Sequence, residues 1–314
     1  MDLMAETKSY LQDRLQIPAD YEICFVSSAT ECWEIVAQSL VKEQITIGFN
    51  GAFGEKWAGY TSEIAPESKA IAFDISQPFP VSEVLATHPE VIGLVQCETS
   101  NGTQVDQSLI KDLRDKSETG TIIAVDATSS MAGVKLDFPL ADVWYASVQK
   151  CFGLPSGMAV MILSPRAVEK AYEVGHKSTY NSLISIIENT QKNQTHYTPN
   201  ILNIYLLNKT QQYSKGIDYQ HEKLTQRFQN WSQFVDQTDG LDWLIEDPSL
   251  RATTVLTLLT KKPEKLKKAA AQKDIILGNG YGQWKETTIR IANFPAIKGK
   301  EVERLVKFLE RYFD

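Results

Sequence analysis

Short apolar runs alternate with amphipathic stretches through the first 165 residues of the chain, and this rhythm predicts an architecture before any single residue does. Seven runs have the length and apolar density of buried strands: 21–26, 44–49, 69–73, 91–97, 121–126, 142–148 and 157–163. Between them, apolar residues return at helical spacing, as with Trp33, Val36, Ala37 and Leu40, and again with Leu109, Ile110 and Leu113. Each such helix has one face for a sheet. Strand and helix in alternation predict an α/β fold, with a seven-stranded, mostly parallel sheet covered by crossover helices. Beyond about residue 225 the pattern changes to a helix, a short strand at 253–259, a Lys-rich helix, a strand at 287–292 and a final helix. That helix carries Val302, Leu305, Val306 and Leu309 on one stripe, so it should pack on the second sheet. The expected organisation is a large domain over 1–225 and a smaller α+β domain over 226–314. No internal repeat or low-complexity segment interrupts it.

Composition narrows the class of partner. With 314 residues and 43% hydrophobic content, the chain can bury one large core and a smaller one beside it. A formal net charge of −7 with no basic stripe argues against nucleic acid and leaves a small molecule as the expected partner. Lys261, Lys262, Lys265, Lys267 and Lys268 form the one basic cluster, spaced as the solvated face of a helix. The apolar runs are too short for a membrane span, and the first residues lack the basic start and apolar stretch of a secretory signal. A soluble, cytoplasmic protein is therefore expected. Cys24, Cys32, Cys97 and Cys151 lack the spacing of a metal site or a disulfide framework and are expected as free thiols. His88, His176, His196 and His221 are scattered, so no metal is expected; Trp144 and Tyr145 read as core.

Three places could carry chemistry. In VSSATECWE a strand runs into small polar residues and a helix, with Ser28 and Glu31 spaced as a capping box. The free amides and dipole there suit a phosphate ester, although the same segment also reads as an ordinary helix start. In Val125-Asp126-Ala127 an acid closes an apolar strand, and ligands of open parallel sheets bind beyond such strand ends. Asp126 is either a loop cap or a carboxylate facing a site. The segment DVWYASVQK then delivers Lys150 at the end of the next strand, followed by Gly153, Pro155 and Gly157. Burial there would favour a neutral, nucleophilic amine; the alternative is a surface lysine.

Four segments in order give a resemblance. ASVQKCFGLPSG resembles the cofactor-lysine motif of the pyridoxal-phosphate (PLP) dependent class V aminotransferases, and VDATSSMAG their pyridinium-aspartate segment. FNGAFGEKW resembles the loop that supplies a ring-stacking aromatic, and CETSNGTQVD the glutamate-threonine-serine-glycine segment. The resemblance extends over roughly residues 20–300. It implies the fold type I architecture of PLP-dependent transferases and the cofactor pyridoxal 5'-phosphate. Lys150 would hold the cofactor as a Schiff base and act as acid and base, and Asp126 would pair with the ring nitrogen. Phe53 would stack on the ring, and Thr99 would bond its phenolic side. Ala29, Thr30 and Gln149 would hold the phosphate. Thr198, in HYTPN, resembles a threonine that reaches the neighbouring subunit's phosphate, which implies a homodimer. Arg290, in TTIRIANFP, would grip the substrate's α-carboxylate. The implied reaction moves an amino group from an amino acid to a 2-oxo acid.

Within the class, QKCFG, HYTPN and RIANFP are most similar to phosphoserine aminotransferase-like proteins, for which the expected pair is phosphoserine and 2-oxoglutarate. Two departures bear on that choice. The family's usual beginning, a glycine-proline-rich loop and a segment with histidine and arginine, is missing from this sequence. A paired histidine and arginine before the last strand are replaced by Gln283 and Trp284, with Lys285 as a nearby cation. Transamination of the alanine-glyoxylate or serine-pyruvate type, and a non-catalytic protein of the same fold, are the alternatives. No cysteine follows Cys151, which removes cysteine desulfuration, and no glycine fingerprint or Walker-type loop follows a strand, which disfavours nucleotide binding.

Overall fold

The computed structural model describes residues 2–313. Its strands in chain order are β1 (Glu22–Val26), β2 (Ile45–Phe49), β3 (Lys69–Ala72), β4 (Val91–Val95), β5 (Cys97–Glu98), β6 (Thr103–Gln104), β7 (Ile122–Asp126), β8 (Val143–Ser147), β9 (Ala159–Leu163), β10 (Asp242–Trp243), β11 (Val255–Leu259), β12 (Gly278–Asn279) and β13 (Thr288–Ala292). Seven of them form the main sheet in the order β1-β9-β8-β7-β4-β2-β3. Only β9 is reversed, pairing antiparallel with both β1 and β8. The remaining pairs are parallel, so the carboxyl ends of β1, β2, β4, β7 and β8 share one edge. Each of the seven apolar runs became one of these strands, with ends moved by one or two residues.

Strand residues alternate between the sheet's faces because the backbone is pleated. Ile23, Phe25, Ile123 and Val125 bury one face, against helices that include Asp2–Leu15, Gln107–Lys116 and Ile201–Gln212. Cys24, Val26, Ile122 and Ala124 bury the other, against Ala29–Ser39, Ala52–Ile64, Pro165–Val174 and Leu183–Thr190. Trp144 and Tyr145, neighbours in β8, are fully buried and fall into opposite cores. The four cysteines are buried and unpaired. Among the described residues no helix is long and apolar enough to cross a membrane.

The long helix Ile217–Asp236 joins the two parts of the chain: Ile217 packs in the main core, whereas Trp231 and Val235 belong to a second one. That core lies on the antiparallel sheet β10-β11-β13-β12 and includes Leu256, Leu258, Ile289, Ile291 and Leu309. The final helix, Gly299–Phe313, adds Val302, Leu305 and Val306 to it, the stripe read from the sequence. In the helix Pro263–Ala271, Pro263, Leu266 and Ala270 face inward and leave Lys265 and Lys268 exposed.

Candidate active site

The alternation of β7 decides where its last residue points. Ile122 and Ala124 face the layer containing Ala29–Ser39, so Asp126 faces the same way. Its side chain is buried, 4% exposed, with two neutral donors: Trp33 Nε1 reaches Oδ2 at 3.2 Å and the Thr128 amide reaches Oδ1 at 2.9 Å. Burial pushes the carboxyl above its usual range, while these bonds and the charge of Lys150 pull it down. A buried carboxylate that no cation among the described residues hydrogen-bonds is a place for a cationic ring nitrogen.

Lys150 lies three residues past the end of β8, in a turn closed by the Gly153 amide on Lys150 O (3.0 Å) and the Leu154 amide on Val148 O (3.0 Å). Gly153 has φ +73°, and a Cβ there would sit 2.8 Å from Ala296 Cβ, so glycine meets both demands of the turn. The Lys150 side chain is largely buried. Burial, and then the positive charge of Arg290, lower the amine below the ordinary lysine value, which favours the neutral nucleophile.

The helix Ala29–Ser39 starts beside this lysine's strand. The Ala29 amide donates to Ser147 Oγ at 3.4 Å, across the sheet edge. Ser28 caps the helix as its spacing suggested, accepting from the Glu31 amide at 3.1 Å, but the reciprocal half of the capping box is displaced. The Glu31 carboxylate binds the Ser27 amide at 2.7 Å and the Ser27 hydroxyl at 2.5 Å, where it finds two donors instead of one. Thr30 stands exposed in the first turn, where the helix dipole is positive.

Phe53 lies in the first turn of Ala52–Ile64, whose N-cap, Gly51, has no side chain to offer. Glu98 replaces it: one carboxylate oxygen accepts from the amides of Phe53 (3.2 Å) and Gly54 (3.1 Å), and the other from Ser100 N (3.0 Å) and Ser100 Oγ (2.6 Å). A Cβ on Gly51 would lie 2.3 Å from Glu98 Cγ, so the close approach of helix and carboxylate requires glycine. Next in the chain, the Thr99 hydroxyl pairs with that of Ser129, and the Thr99 carbonyl accepts from Arg290 Nη1 at 2.7 Å. Ile289 and Ile291 fill the second core, so Arg290 between them points the other way, toward the main sheet. Its Nε donates to Asn279 O at 2.7 Å, and Nη2 has no protein acceptor among the described residues.

A cavity of about 330 Å³ collects these groups: Ala29, Thr30, Phe53, Thr99, Asp126, Gln149 and Lys150 line it, together with Trp33, Lys56 and Tyr60. A second, of about 510 Å³, shares Thr99 and Lys150 with the first and runs past Arg290 into the smaller unit. The donor set fits PLP: an amine shifted toward neutrality, a buried carboxylate, an aromatic ring, and a helix N-terminus with a threonine hydroxyl. Thr198 is exposed and does not line this chain's cavity. Two residues before it, the side chain of His196 is covered and lies 4.0 Å from Glu31, and burial lowers its pKa. Gln283 and Lys285 are exposed and line neither cavity.

Sequence reasoning missed four contributors. Trp33 was visible only as part of a helix's apolar face, although a buried indole N–H needs an acceptor. Glu98 lay inside a quoted motif without a role. Lys56 and Tyr281 carry no local signal, since their meaning comes from each other: Lys56 Nζ donates to Tyr281 Oη at 2.8 Å.

Comparison with known proteins identifies the family and the fold. The sequence profile of the aminotransferase class-V family matches residues 1–283. The phosphoserine aminotransferase of Rhodococcus opacus is 27% identical over 326 aligned positions, covering 98% of this chain and 84% of that protein. A phosphoserine aminotransferase of Cytophaga hutchinsonii superposes with a TM-score of 0.94 at 31% identity, covering 100% of this chain and 89% of the other. The alanine–glyoxylate aminotransferase of a Nostoc species has a TM-score of 0.87 at 19% identity, covering 100% and 87%, a likeness of fold alone.

Proposed function

This chain belongs to the aminotransferase class-V family, and on that premise we propose that it is a PLP-dependent aminotransferase whose amino donor is phosphoserine and whose acceptor is 2-oxoglutarate. One observation carries the assignment: Lys150, Asp126, Phe53 and the helix start at Ala29 and Thr30, far apart in sequence, line one cavity at the carboxyl edge of a parallel sheet. When bound, PLP supplies an electron sink that stabilises negative charge developing at the substrate's Cα. The protein's residues do the rest. Lys150 anchors the cofactor, and its amine then takes and returns the Cα proton, a role suited to a depressed pKa. Asp126, aligned by Trp33 and Thr128, keeps the ring nitrogen protonated. Phe53, fixed by Glu98 through the backbone of its helix, covers a ring face. Ala29, Thr30 and Gln149 surround the phosphate, and Arg290 holds the substrate carboxylate through a guanidinium already braced by Thr99 and Asn279. The similarity to two proteins named phosphoserine aminotransferase supports the donor.

A homodimer belongs to the same proposal. Thr198 is exposed and followed by Ile201 and Leu202, 61% and 62% exposed at the start of a helix, which suits a surface covered by a second copy. In that copy's cavity Thr198 would add a hydroxyl to the phosphate site. The cytoplasm is the proposed location. The test is the visible absorption spectrum of the PLP-loaded protein, before and after borohydride reduction, with phosphoserine, alanine and serine added in turn. A band that reduction fixes onto Lys150, that Lys150→Ala abolishes, and that shifts most readily with phosphoserine is the expected result. A folded protein without such a band sinks the cofactor assignment; a response to alanine or serine alone sinks the donor.

A further inference from the structure

The cofactor cavity is lined by a cation, Lys56, that forms no salt bridge among the described residues, although the charge of Glu98 acts on it. It lies on the helix Ala52–Ile64, one turn beyond Phe53. Among the described residues it hydrogen-bonds no carboxylate; its Nζ donates to the Tyr281 hydroxyl at 2.8 Å and stands 5.9 Å from the centroid of the Phe53 ring. The ring of Tyr281 packs against that of Phe53 with centroids 5.5 Å apart. Lys56 Nζ lies 5.5 Å from the Tyr281 centroid, and the Arg290 guanidinium 5.6 Å from the same point. One aromatic ring from the smaller unit thus approaches both Arg290, proposed above to hold the α-carboxylate, and Lys56 of the main sheet layer.

The other cations along the two cavities are already used. Lys150 is the cofactor's anchor and Arg290 the α-carboxylate's. Arg304 donates to Lys273 O and lies 3.8 Å from Asp274. Lys285 lines neither cavity.

We propose that Lys56 is a specificity-determining residue that exchanges the Tyr281 hydroxyl for the distal anion, carboxylate or phosphate, of a dianionic amino acid or 2-oxo acid whose α-carboxylate is held by Arg290. This rests on the assignment of Arg290 made above and names the residue that selects a second negative charge. The exchange is favourable because an ammonium bonds a carboxylate or phosphate oxygen more strongly than a neutral hydroxyl. Closure of the ligand over Tyr281 removes part of the water that otherwise screens an exposed lysine. A substrate with one negative charge leaves Lys56 on Tyr281 and gains nothing from it. Donor and acceptor share the subsite, since both carry their second charge at the far end of a short chain.

Binding can be read without turnover. The PLP-loaded wild-type protein and its Lys56→Ala, Lys56→Arg and Tyr281→Phe variants are titrated by calorimetry with glutarate, a dianion, and butyrate, a monoanion of similar reach, neither of which has an amino or oxo group to react. Wild type is expected to prefer glutarate by about tenfold or more, the scale of one charge-assisted hydrogen bond. Lys56→Ala should erase most of that preference, Lys56→Arg should restore it, and Tyr281→Phe should hold or raise it by freeing Lys56. Equal affinity of wild type for the two acids, or an unchanged glutarate-to-butyrate ratio in Lys56→Ala, overturns the proposal. Transamination assays run beside the titrations judge the aminotransferase assignment separately: a Lys56-dependent preference in a protein without turnover upholds the subsite and removes the reaction.

Discussion

Replacing Trp33 by phenylalanine tests the contact on which the carboxylate's position depends. The indole N–H reaches Asp126 Oδ2 at 3.2 Å, both residues are 4% exposed, and among the described residues the other hydrogen bond to the carboxylate comes from the Thr128 amide at 2.9 Å. A hydrogen bond to a charged, buried acceptor contributes about 1.5–3 kcal/mol, and losing the larger indole ring adds about 1–2 kcal/mol from the space left behind. Trp33→Phe should therefore destabilise the apoprotein by about 2.5–5 kcal/mol in urea unfolding. Fluorescence and circular dichroism transitions must coincide for the value to count. A double-mutant cycle with Asp126→Ala isolates the contact from the packing loss, because the packing term is present in both backgrounds. The expected coupling is about 1.5–3 kcal/mol. Coupling below about 0.5 kcal/mol, the range found for independent sites, would refute the view that Trp33 holds Asp126.

Two further outcomes follow from the same geometry. Lys150 has a folded pKa below its ordinary 10.5, so its burial cost is complete at pH values below the folded pKa and vanishes as pH rises past 10.5. Apoprotein carrying Lys150→Met should accordingly be more stable than the parent at neutral pH, by a margin that shrinks toward pH 10.5; a margin that grows with pH contradicts the direction of the shift. Gly51→Ala drives a Cβ to 2.3 Å from Glu98 Cγ, a side chain pinned by four hydrogen bonds, and should cost about 1–3 kcal/mol. Thermal unfolding at the parent's midpoint would show that the helix and Glu98 can separate freely.

The sequence by itself determined the architecture and the identity of the main chemical groups. Strands and helices announce themselves through hydrophobic period, a property of neighbouring residues, and the ends of β7 and β8 fix where Asp126 and Lys150 emerge. The four ordered motifs supplied Lys150, Asp126, Phe53 and Thr99 as the proposed cofactor residues, and the alternation in β13 already set Arg290 opposite the second core. What the tertiary structure alone decided is which groups hold these in place. Phe53 is fixed by Glu98 across 45 residues, Asp126 by Trp33 across 93, Arg290 by Thr99 across 191, and Lys56 meets Tyr281 across 225. None of these pairs has a local signature, because a hydrogen bond depends on distance and direction in space, and chain separation fixes neither. Only when the sheet order brings β1, β7 and β8 to one edge, and the second sheet sets β13 against the ETSNG segment, do buried donors find their acceptors.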